Sequence, residues 1–216
     1  MYDYNIEVLI KYYTNETTVT LPDTVKIIKT RAFTGQDNIQ NLILPDSLEQ
    51  IENFALEGMG ITELNIPKNV NTIYSLTFSG VNIDVTISEE NTKYMVIDNI
   101  YIINKNENKL EAISKMLDNY NIPENIEIIG SHTFYANTKL KSIIIPDNVK
   151  IIENSAFDYA TSLQRIEIPS SIEVIGSTAF SRCKNLTEII IHKEEESVPD
   201  APWGCPYGLR AVKWEV

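Results

Sequence analysis

The chain contains the stretch Pro123-Glu124-Asn125-Ile126-Glu127-Ile128-Ile129-Gly130-Ser131-His132-Thr133-Phe134. Two later stretches, Pro146–Phe157 and Pro169–Phe180, match it position by position, and successive prolines are 23 residues apart. A unit this short cannot bury its own apolar side chains. The fixed period therefore predicts a solenoid, in which successive coils stack and share one apolar core.

The unit occurs six times when each copy is aligned on its proline. The prolines are Pro22, Pro45, Pro67, Pro123, Pro146 and Pro169. The residue three positions later is always aliphatic, and the residue six positions later is always isoleucine. The residues eleven positions later are Phe33, Leu56, Phe78, Phe134, Phe157 and Phe180. Because equivalent positions of neighbouring coils lie side by side, each set should form a buried column, worth roughly 1.5–3 kcal/mol for each large side chain.

A short alternating segment precedes each proline, as in Ile143-x-Ile145-Pro146 and Ile166-x-Ile168-Pro169. Apolar residues two positions apart predict a strand. Proline ends the strand, since it has no N–H for the ladder. Stacked coils then form a parallel sheet on one side. The segments around Ala156-Phe157 and Ala179-Phe180 predict helical turns on the opposite side.

The pattern L-x-x-I-x-I-P-x-x-h-x-x-I-x-x-x-A-F, with h aliphatic, resembles the BspA-like class of leucine-rich repeats. It covers residues 16 to 191 apart from one insertion. The insertion, with Asn91-Thr92-Lys93-Tyr94 and Asp98-Asn99, resembles a hairpin of that family, and Ala201-Pro202-Trp203-Gly204 resembles its end segment. The resemblance implies an α/β solenoid, a right-handed leucine-rich repeat superhelix with coils of 23 residues, a parallel sheet on one face, short helical turns on the other and a small β-hairpin insertion.

We expect a single leucine-rich repeat domain over residues 1–216. Its predicted parts are an N-terminal cap strand within 1–15, first coils over 16–88, a hairpin insertion over 89–119, last coils over 120–191 and a C-terminal cap over 192–216. The predicted cap strand is Tyr4–Ile10, and the insertion's strand segments are Tyr94–Ile97, Ile100–Ile103 and Lys109–Ile113. The side chains expected to cover the last coil are Trp203, Leu209, Val212 and Trp214.

Composition and charge exclude several partners. The net charge of −12 and the pI of 4.6 oppose binding to nucleic acid, and no Lys/Arg cluster reverses them locally. No apolar run reaches the ~20 residues of a membrane helix. The start of the chain has no secretion signal, so the location stays open, although the resemblance suggests a cell surface or the extracellular space. We expect a monomer.

No set of residues matches a catalytic, cofactor or metal motif. His132 and His192 are each expected to be solvent-exposed or hydrogen-bonded. Cys183 and Cys205 lack metal-ligand spacing, and we favour two buried thiols over the alternative of a disulfide. The run Glu194–Glu196 lacks the spaced ligands and the glycine of a calcium loop, so a hydrated loop is favoured over a Ca²⁺ site. The chain is therefore predicted not to be an enzyme, with no cofactor and no metal.

The residues between the strand aliphatics should point away from the core and form an exposed sheet face. It begins with Thr18 and Thr20. The candidate binding residues on it are Asn41, Ile43, Glu63, Asn65, Asn119, Asn121, Ser142, Ile144, Arg165, Glu167, Glu188 and Ile190. This mixed strip suits a protein or a glycan, and the alternative is a solvated scaffold.

The leading hypothesis is a non-enzymatic recognition or adhesion scaffold that binds a protein or a glycan through this face or the insertion. The resemblance adds that BspA-like proteins often act in bacterial adhesion. The alternative is a structural or receptor-contacting component of a phage particle or an intracellular assembly. A third hypothesis, an enzyme or small-ligand sensor, requires a polar cavity beside the insertion.

Overall fold

The computed structural model describes residues 7–195 and 197–215. The chain divides into two compact units, one of Met1–Lys105 with Ala112–Lys115 and one of Asn106–Glu111 with Met116–Val216. Each unit is a segment of β-solenoid, whose coils carry two short strands. The predicted division of a single domain into a cap strand, first coils, an insertion, last coils and a second cap stays a prediction.

The first unit has two sets of parallel strands. We call leading strands those at the predicted pre-proline position of each coil; they are β2 (Thr18–Thr20), β4 (Asn41–Ile43), β6 (Glu63–Ile66) and β8 (Asp84–Ile87). The trailing strands lie on the other side of the proline position and pair in the order β1 (Val8–Leu9), β3 (Ile27–Ile28), β5 (Gln50–Ile51) and β7 (Thr72–Ile73). The insertion contributes the antiparallel strands β9 (Tyr94–Ile97) and β10 (Tyr101–Asn104).

The second unit repeats this plan. Its leading strands pair in parallel, in the order β13 (Ser142–Ile144), β15 (Arg165–Ile168), β17 (Glu188–Ile191) and β18 (Val212–Trp214). Its trailing strands are β12 (Ile128–Ile129), β14 (Ile151–Ile152) and β16 (Val174–Ile175), and β12 also pairs with the first two residues of β11 (Lys109–Ile113). The predicted parallel pairing of the leading strands is thus confirmed, but in the described part of the chain these strands form three separate sheets and not one. The trailing ladder was not predicted.

The predicted columns are confirmed. All eighteen side chains at the third, sixth and eleventh positions after the six prolines are buried. In the second unit the Phe157 ring stacks on Phe134, with centroids 4.8 Å apart, and packs against Phe180 at 5.7 Å. These contacts fill the interior of the coils with side chains of matched size, which is how a periodic sequence reaches the density of a protein core.

The predicted helical turns are wrong, since the described part of the chain contains no α-helix. The Phe157 N–H donates to the Ala179 carbonyl of the next coil at 2.9 Å, and the Tyr159 N–H donates to the Ser181 carbonyl at 3.0 Å. Ser155 and Tyr159 also have φ of 60°. An α-helix needs successive right-handed residues and bonds within its own segment. In this turn, the N–H groups of Phe157 and Tyr159 instead donate to carbonyl groups of the neighbouring coil.

The two ends deviate from the repeat. Of the predicted strand Tyr4–Ile10, residues 4–6 lie outside the described residues, and the strand spans Val8–Leu9. At the other end Trp203 is fully buried, and Val212 and Trp214 are half-buried. The prediction for Leu209 is wrong, because 66% of this residue is exposed. It lies in a 3₁₀ helix, Gly208–Ala211, whose buried residue is Ala211.

The insertion has its three strands within one residue of the predicted positions. Asp98 and Asn99 both adopt positive φ, 53° and 57°, as the two central residues of a type I′ hairpin turn do. Asn91 is buried, and its amide donates to the carbonyls of Pro67 and Val70 at 3.1 and 2.9 Å. The Asn side chain thus satisfies carbonyl groups of the turn in the preceding coil, which fixes the start of the insertion.

Gly60 should tolerate no side chain. A Cβ at this position would lie 2.3 Å from the Asp37 carbonyl oxygen and 3.2 Å from that of Ile39. Both are backbone atoms, so the coil must move, and Gly60→Ala should destabilise the protein by about 1–3 kcal/mol. The control is Gly208→Ala. A Cβ added at Gly208 would have no neighbouring atom within 4 Å, so only the φ of 62° at this position opposes alanine. Urea unfolding should show the larger loss for Gly60→Ala, and equal losses would contradict the steric argument.

Candidate binding face

The candidate binding face consists of the outward side chains of the leading strands and of the segment 119–122. Alternation puts Val19, Leu42 and Leu64 inside and their strand neighbours outside. The predicted residues that are exposed are Thr18, Thr20, Asn41, Ile43, Glu63, Asn65, Asn119, Asn121, Ser142 and Ile144. Arg165, Glu167 and Glu188 are half-buried. Their role in binding stays a prediction.

Strand β8 adds two residues to the face that are not among those predicted from the sequence. Asp84 and Thr86 stand beside Glu63 and Asn65 in the parallel register. The signal was present, because Val81, Ile83, Val85 and Ile87 alternate with polar residues. No proline follows this strand, so the repeat pattern that is aligned on proline does not include it.

We call a groove on the face of the first unit the Ile43 groove. It has a volume of about 620 Å³ and lies over β4 and β6, with Asn41, Ile43, Glu63 and Asn65 among its lining residues. The strand pairs β2–β4 and β6–β8 are separate sheets. Within the described residues, no backbone hydrogen bond joins β4 to β6. The facing edges of these strands therefore leave polar groups open to a ligand or to water.

The polar side chains of the Ile43 groove are only partly engaged. The Asn41 amide donates to Thr18 Oγ1 at 3.2 Å, and Thr86 Oγ1 donates to Asn65 Oδ1 at 3.0 Å. Asp84 is paired with Lys115, Nζ to Oδ1 at 2.7 Å. Glu63 has no ion pair in the described part of the chain. The amide oxygen of Asn41, the amide nitrogen of Asn65 and the carboxylate of Glu63 thus face outward.

A second groove, the Ile144 groove, lies on the face of the second unit. Its volume is about 440 Å³, and Asn119, Asn121, Ser142 and Ile144 are among its lining residues. Asn119 and Asn121 were predicted on a strand, and this is wrong, because residues 119–122 have no ladder partner. As at the Ile43 groove, a missing strand pairing opens the surface. The side chains of Asn119, Asn121 and Ser142 have no hydrogen-bond partner among the residues that the structure describes.

The rest of the second unit's face is a strip of paired charges. Arg165 bridges Glu167 and Glu188, Nη2 to Oε2 and Nε to Oε2, both at 2.9 Å. Glu188 also pairs with Lys213, and His192 Nε2 contacts Glu167 Oε1 at 3.0 Å. The hydrogen bond from His192 lowers the pKa of Glu167, and the one from Lys213 lowers the pKa of Glu188. These side chains bond to one another, and each such surface pair adds little stability.

Ile190 is the predicted face residue that the structure corrects, because only 5% of it is exposed. It stands between Glu167 on β15 and Lys213 on β18, with Glu188 and His192 on the same face of its own strand. The ion pairs among these long side chains enclose it. Ile190 is therefore buried on the outer side of the sheet and is not available to a partner.

The two histidines have hydrogen-bond partners that do not form a catalytic set. His132 Nδ1 lies 3.1 Å from Ser131 Oγ, which donates to the Asn154 carbonyl at 2.7 Å. The hydroxyl proton of Ser131 is thus held by a carbonyl and not by the imidazole, whereas a serine nucleophile needs a base to take that proton. His192 belongs to the strip of paired charges.

Both cysteines are free, buried thiols. Burial raises the pKa of Cys183 to about 12, and burial also raises the pKa of Cys205. Because the thiolate is the nucleophile, we expect iodoacetamide to modify neither thiol in the native protein at mildly alkaline pH and both in urea. Mass spectrometry checks this result. Modification of the native protein would contradict the burial, and lack of modification in urea would indicate a disulfide.

No cluster of three His, Cys, Asp or Glu side chains that could hold a metal ion occurs among residues 7–195 and 197–215. In the run Glu194–Glu196, Glu196 lies outside the described residues. Over the same ranges, no helix has the length and apolar character needed to cross a membrane.

Comparison with known proteins identifies relatives of the fold. The family model described as "BspA type Leucine rich repeat region" matches residues 7–113 and 111–201, in six copies. The pneumococcal vaccine antigen PcpA has a similar structure, with a TM-score of 0.70 and 24% identity over 91% of this chain and 50% of its own. A leucine-rich repeat protein from Eubacterium ventriosum has a TM-score of 0.67 and 23% identity over 93% and 60%. This chain thus spans 50% to 60% of those two structures. No curated protein matches it.

Proposed function

Because this chain belongs to the BspA type leucine-rich repeat family, we propose that it is a non-enzymatic recognition and adhesion module. It binds a macromolecular partner through the outward side chains of its leading strands. The proposal places the module at a cell surface or outside the cell, as the family resemblance implies.

The observation that carries the proposal is the contrast between the two sides of each leading strand. Inward residues such as Leu64 and Ile143 are buried in the core, whereas outward residues such as Asn65 and Ile144 are exposed and lie over open grooves. Within each sheet of paired leading strands, the parallel ladder holds neighbouring outward side chains at a spacing of about 4.8 Å. Such a preordered surface binds without first losing side-chain and loop freedom, which favours affinity.

Labelled protein applied to a printed array of matrix proteins, mucins and glycans tests the proposal. Introduced together, Ile43→Glu and Ile144→Glu place a charge in each groove and should abolish the signals of the wild-type protein. Val174→Glu is the matched control, since Val174 is also a β-branched strand residue, is 47% exposed, and lies on a trailing strand. Both variant proteins should keep the wild-type melting temperature.

Two results would contradict the proposal. The first is a wild-type protein that binds nothing on the array. The second is binding that survives the double groove variant and is lost with Val174→Glu, which would assign recognition to the trailing side of the coils.

A further inference from the structure

We propose that the Ile43 and Ile144 grooves are binding sites for an uncharged glycan that contains N-acetylhexosamine. The inference rests on the proposed function, because it uses the same face and names the class of partner. Each groove lies within one unit, so each is argued from its own residues.

Asparagine side chains give both grooves hydrogen-bond donors and acceptors. The Ile43 groove presents Asn41, Asn65 and Asn99, and the Ile144 groove presents Asn119 and Asn121. A primary amide donates and accepts at once. Sugar hydroxyls and the acetamido group also donate and accept, so a row of amides can match them without leaving a group unpaired. The open strand edges at both grooves add further backbone groups of the same kind.

Each groove has one exposed aliphatic residue, because its other aliphatic lining residues are buried, namely Leu42, Leu64, Ile122 and Ile143. Ile43 is 53% exposed and Ile144 is 65% exposed, and both stand two residues before a proline of the repeat. In the other units aligned on a proline, this position holds Thr20, Asn65, Asn121 or Glu167. An exposed isoleucine beside amides offers a contact for one methyl group. The acetamido substituent carries one methyl group next to an amide. The exposed isoleucine of each groove can contact the methyl group, and the asparagine side chains can form hydrogen bonds with the amide.

The described lining residues of the two grooves include no exposed aromatic or arginine anchor for a protein partner. Protein interfaces depend on buried aromatic and arginine anchors and on the pockets that receive them. The Ile43 groove has neither an aromatic nor an arginine side chain among its described lining residues, and in the Ile144 groove the one aromatic residue, Tyr120, is buried. The isoleucines are too small and too isolated to take that role. The observations therefore favour a polar, hydroxyl-rich partner.

Acidic side chains in both grooves affect which glycans can bind. Glu63 lines the Ile43 groove without an ion pair among the described residues, Glu124 lines the Ile144 groove, and the whole chain carries −12. Like charges in contact oppose binding. The charges therefore favour an uncharged glycan over a sulfated or sialylated one.

Isothermal titration calorimetry with triacetylchitotriose, cellotriose and heparin tests the inference. Cellotriose has hydroxyl groups where triacetylchitotriose has acetamido groups, so it should bind more weakly by about tenfold or more, and heparin should not bind. The double variant Ile43→Ala/Ile144→Ala should lose triacetylchitotriose binding by a similar factor, because the methyl contact is removed while both positions are exposed. Val174→Ala is the control and should bind like the wild type.

Equal binding of the two trisaccharides, or an unchanged double variant, would overturn the inference. If only printed proteins bind and the double variant Ile43→Glu/Ile144→Glu abolishes that signal, the glycan inference fails and the proposed function stands. If that variant leaves every array signal intact, both fail.

Discussion

Replacing Phe157 with alanine should lower the free energy of unfolding by about 3–5 kcal/mol, the range for truncating a buried aromatic side chain. The Phe157 ring is fully buried between Phe134 and Phe180, with centroids 4.8 and 5.7 Å away. Alanine leaves a cavity between two coils, and neither neighbouring ring can close it without moving its own coil. Urea unfolding followed by circular dichroism measures the loss.

The matched control is Ile144→Ala, which removes an exposed aliphatic side chain from the same unit. Its effect should stay within about 0.5 kcal/mol, as for most surface substitutions. A Phe157→Ala protein as stable as this control would refute the stacked aromatic column as a source of stability.

Trp203→Ala should have an effect of similar size, about 3–5 kcal/mol, because Trp203 is the bulky residue that ends the aromatic column. Its ring is fully buried and packs against Phe180 at 6.4 Å and Trp214 at 6.3 Å, and its Nε1 donates to the Pro199 carbonyl at 2.6 Å. Removing the ring opens the apolar face of the last coil. Terminal coils of solenoids need a cover of this kind to stay soluble.

Differential scanning calorimetry and binding of an apolar dye measure the two consequences of Trp203→Ala, lower stability and an exposed apolar face. Trp214→Ala is the comparison, since Trp214 is only half-buried and should have the smaller effect. Equal losses for the two variants would show that the cover is shared, and no loss for Trp203→Ala would exclude this tryptophan as the cap.

The strands and the core of this protein differ in how far the sequence predicts them. The leading strands and the columns were predicted, since period-two alternation and a fixed repeat are local patterns. The trailing strands are only two residues long, as at Ile151–Ile152. Two residues have no visible period, so this ladder exists only through its bonds to neighbouring coils. The helical turns were wrong for the same reason, because the Phe157 N–H bonds to Ala179 of the next coil.

The exposure of side chains on the binding face is also only partly predicted by the sequence. Ile144 and Ile190 occupy outward strand positions, and the sequence predicts both to be exposed. The structure leaves Ile144 in an open groove and buries Ile190, because charged neighbours on β15 and β18 enclose Ile190 whereas residues 119–122 do not pair with β13. Exposure of an outward residue depends on the strands beside it, which lie more than 20 residues away in the chain.

The sequence by itself determined the repeat, the buried columns, the parallel leading strands and the family, because each follows from which residue recurs at which position of a coil. Tertiary structure alone decided the trailing ladder, the irregular turns, the burial of Ile190 and the two grooves. These features depend on whether the backbone groups of one coil find partners in the next. That pairing is a property of neighbouring coils in space, and no residue pattern within one coil encodes it.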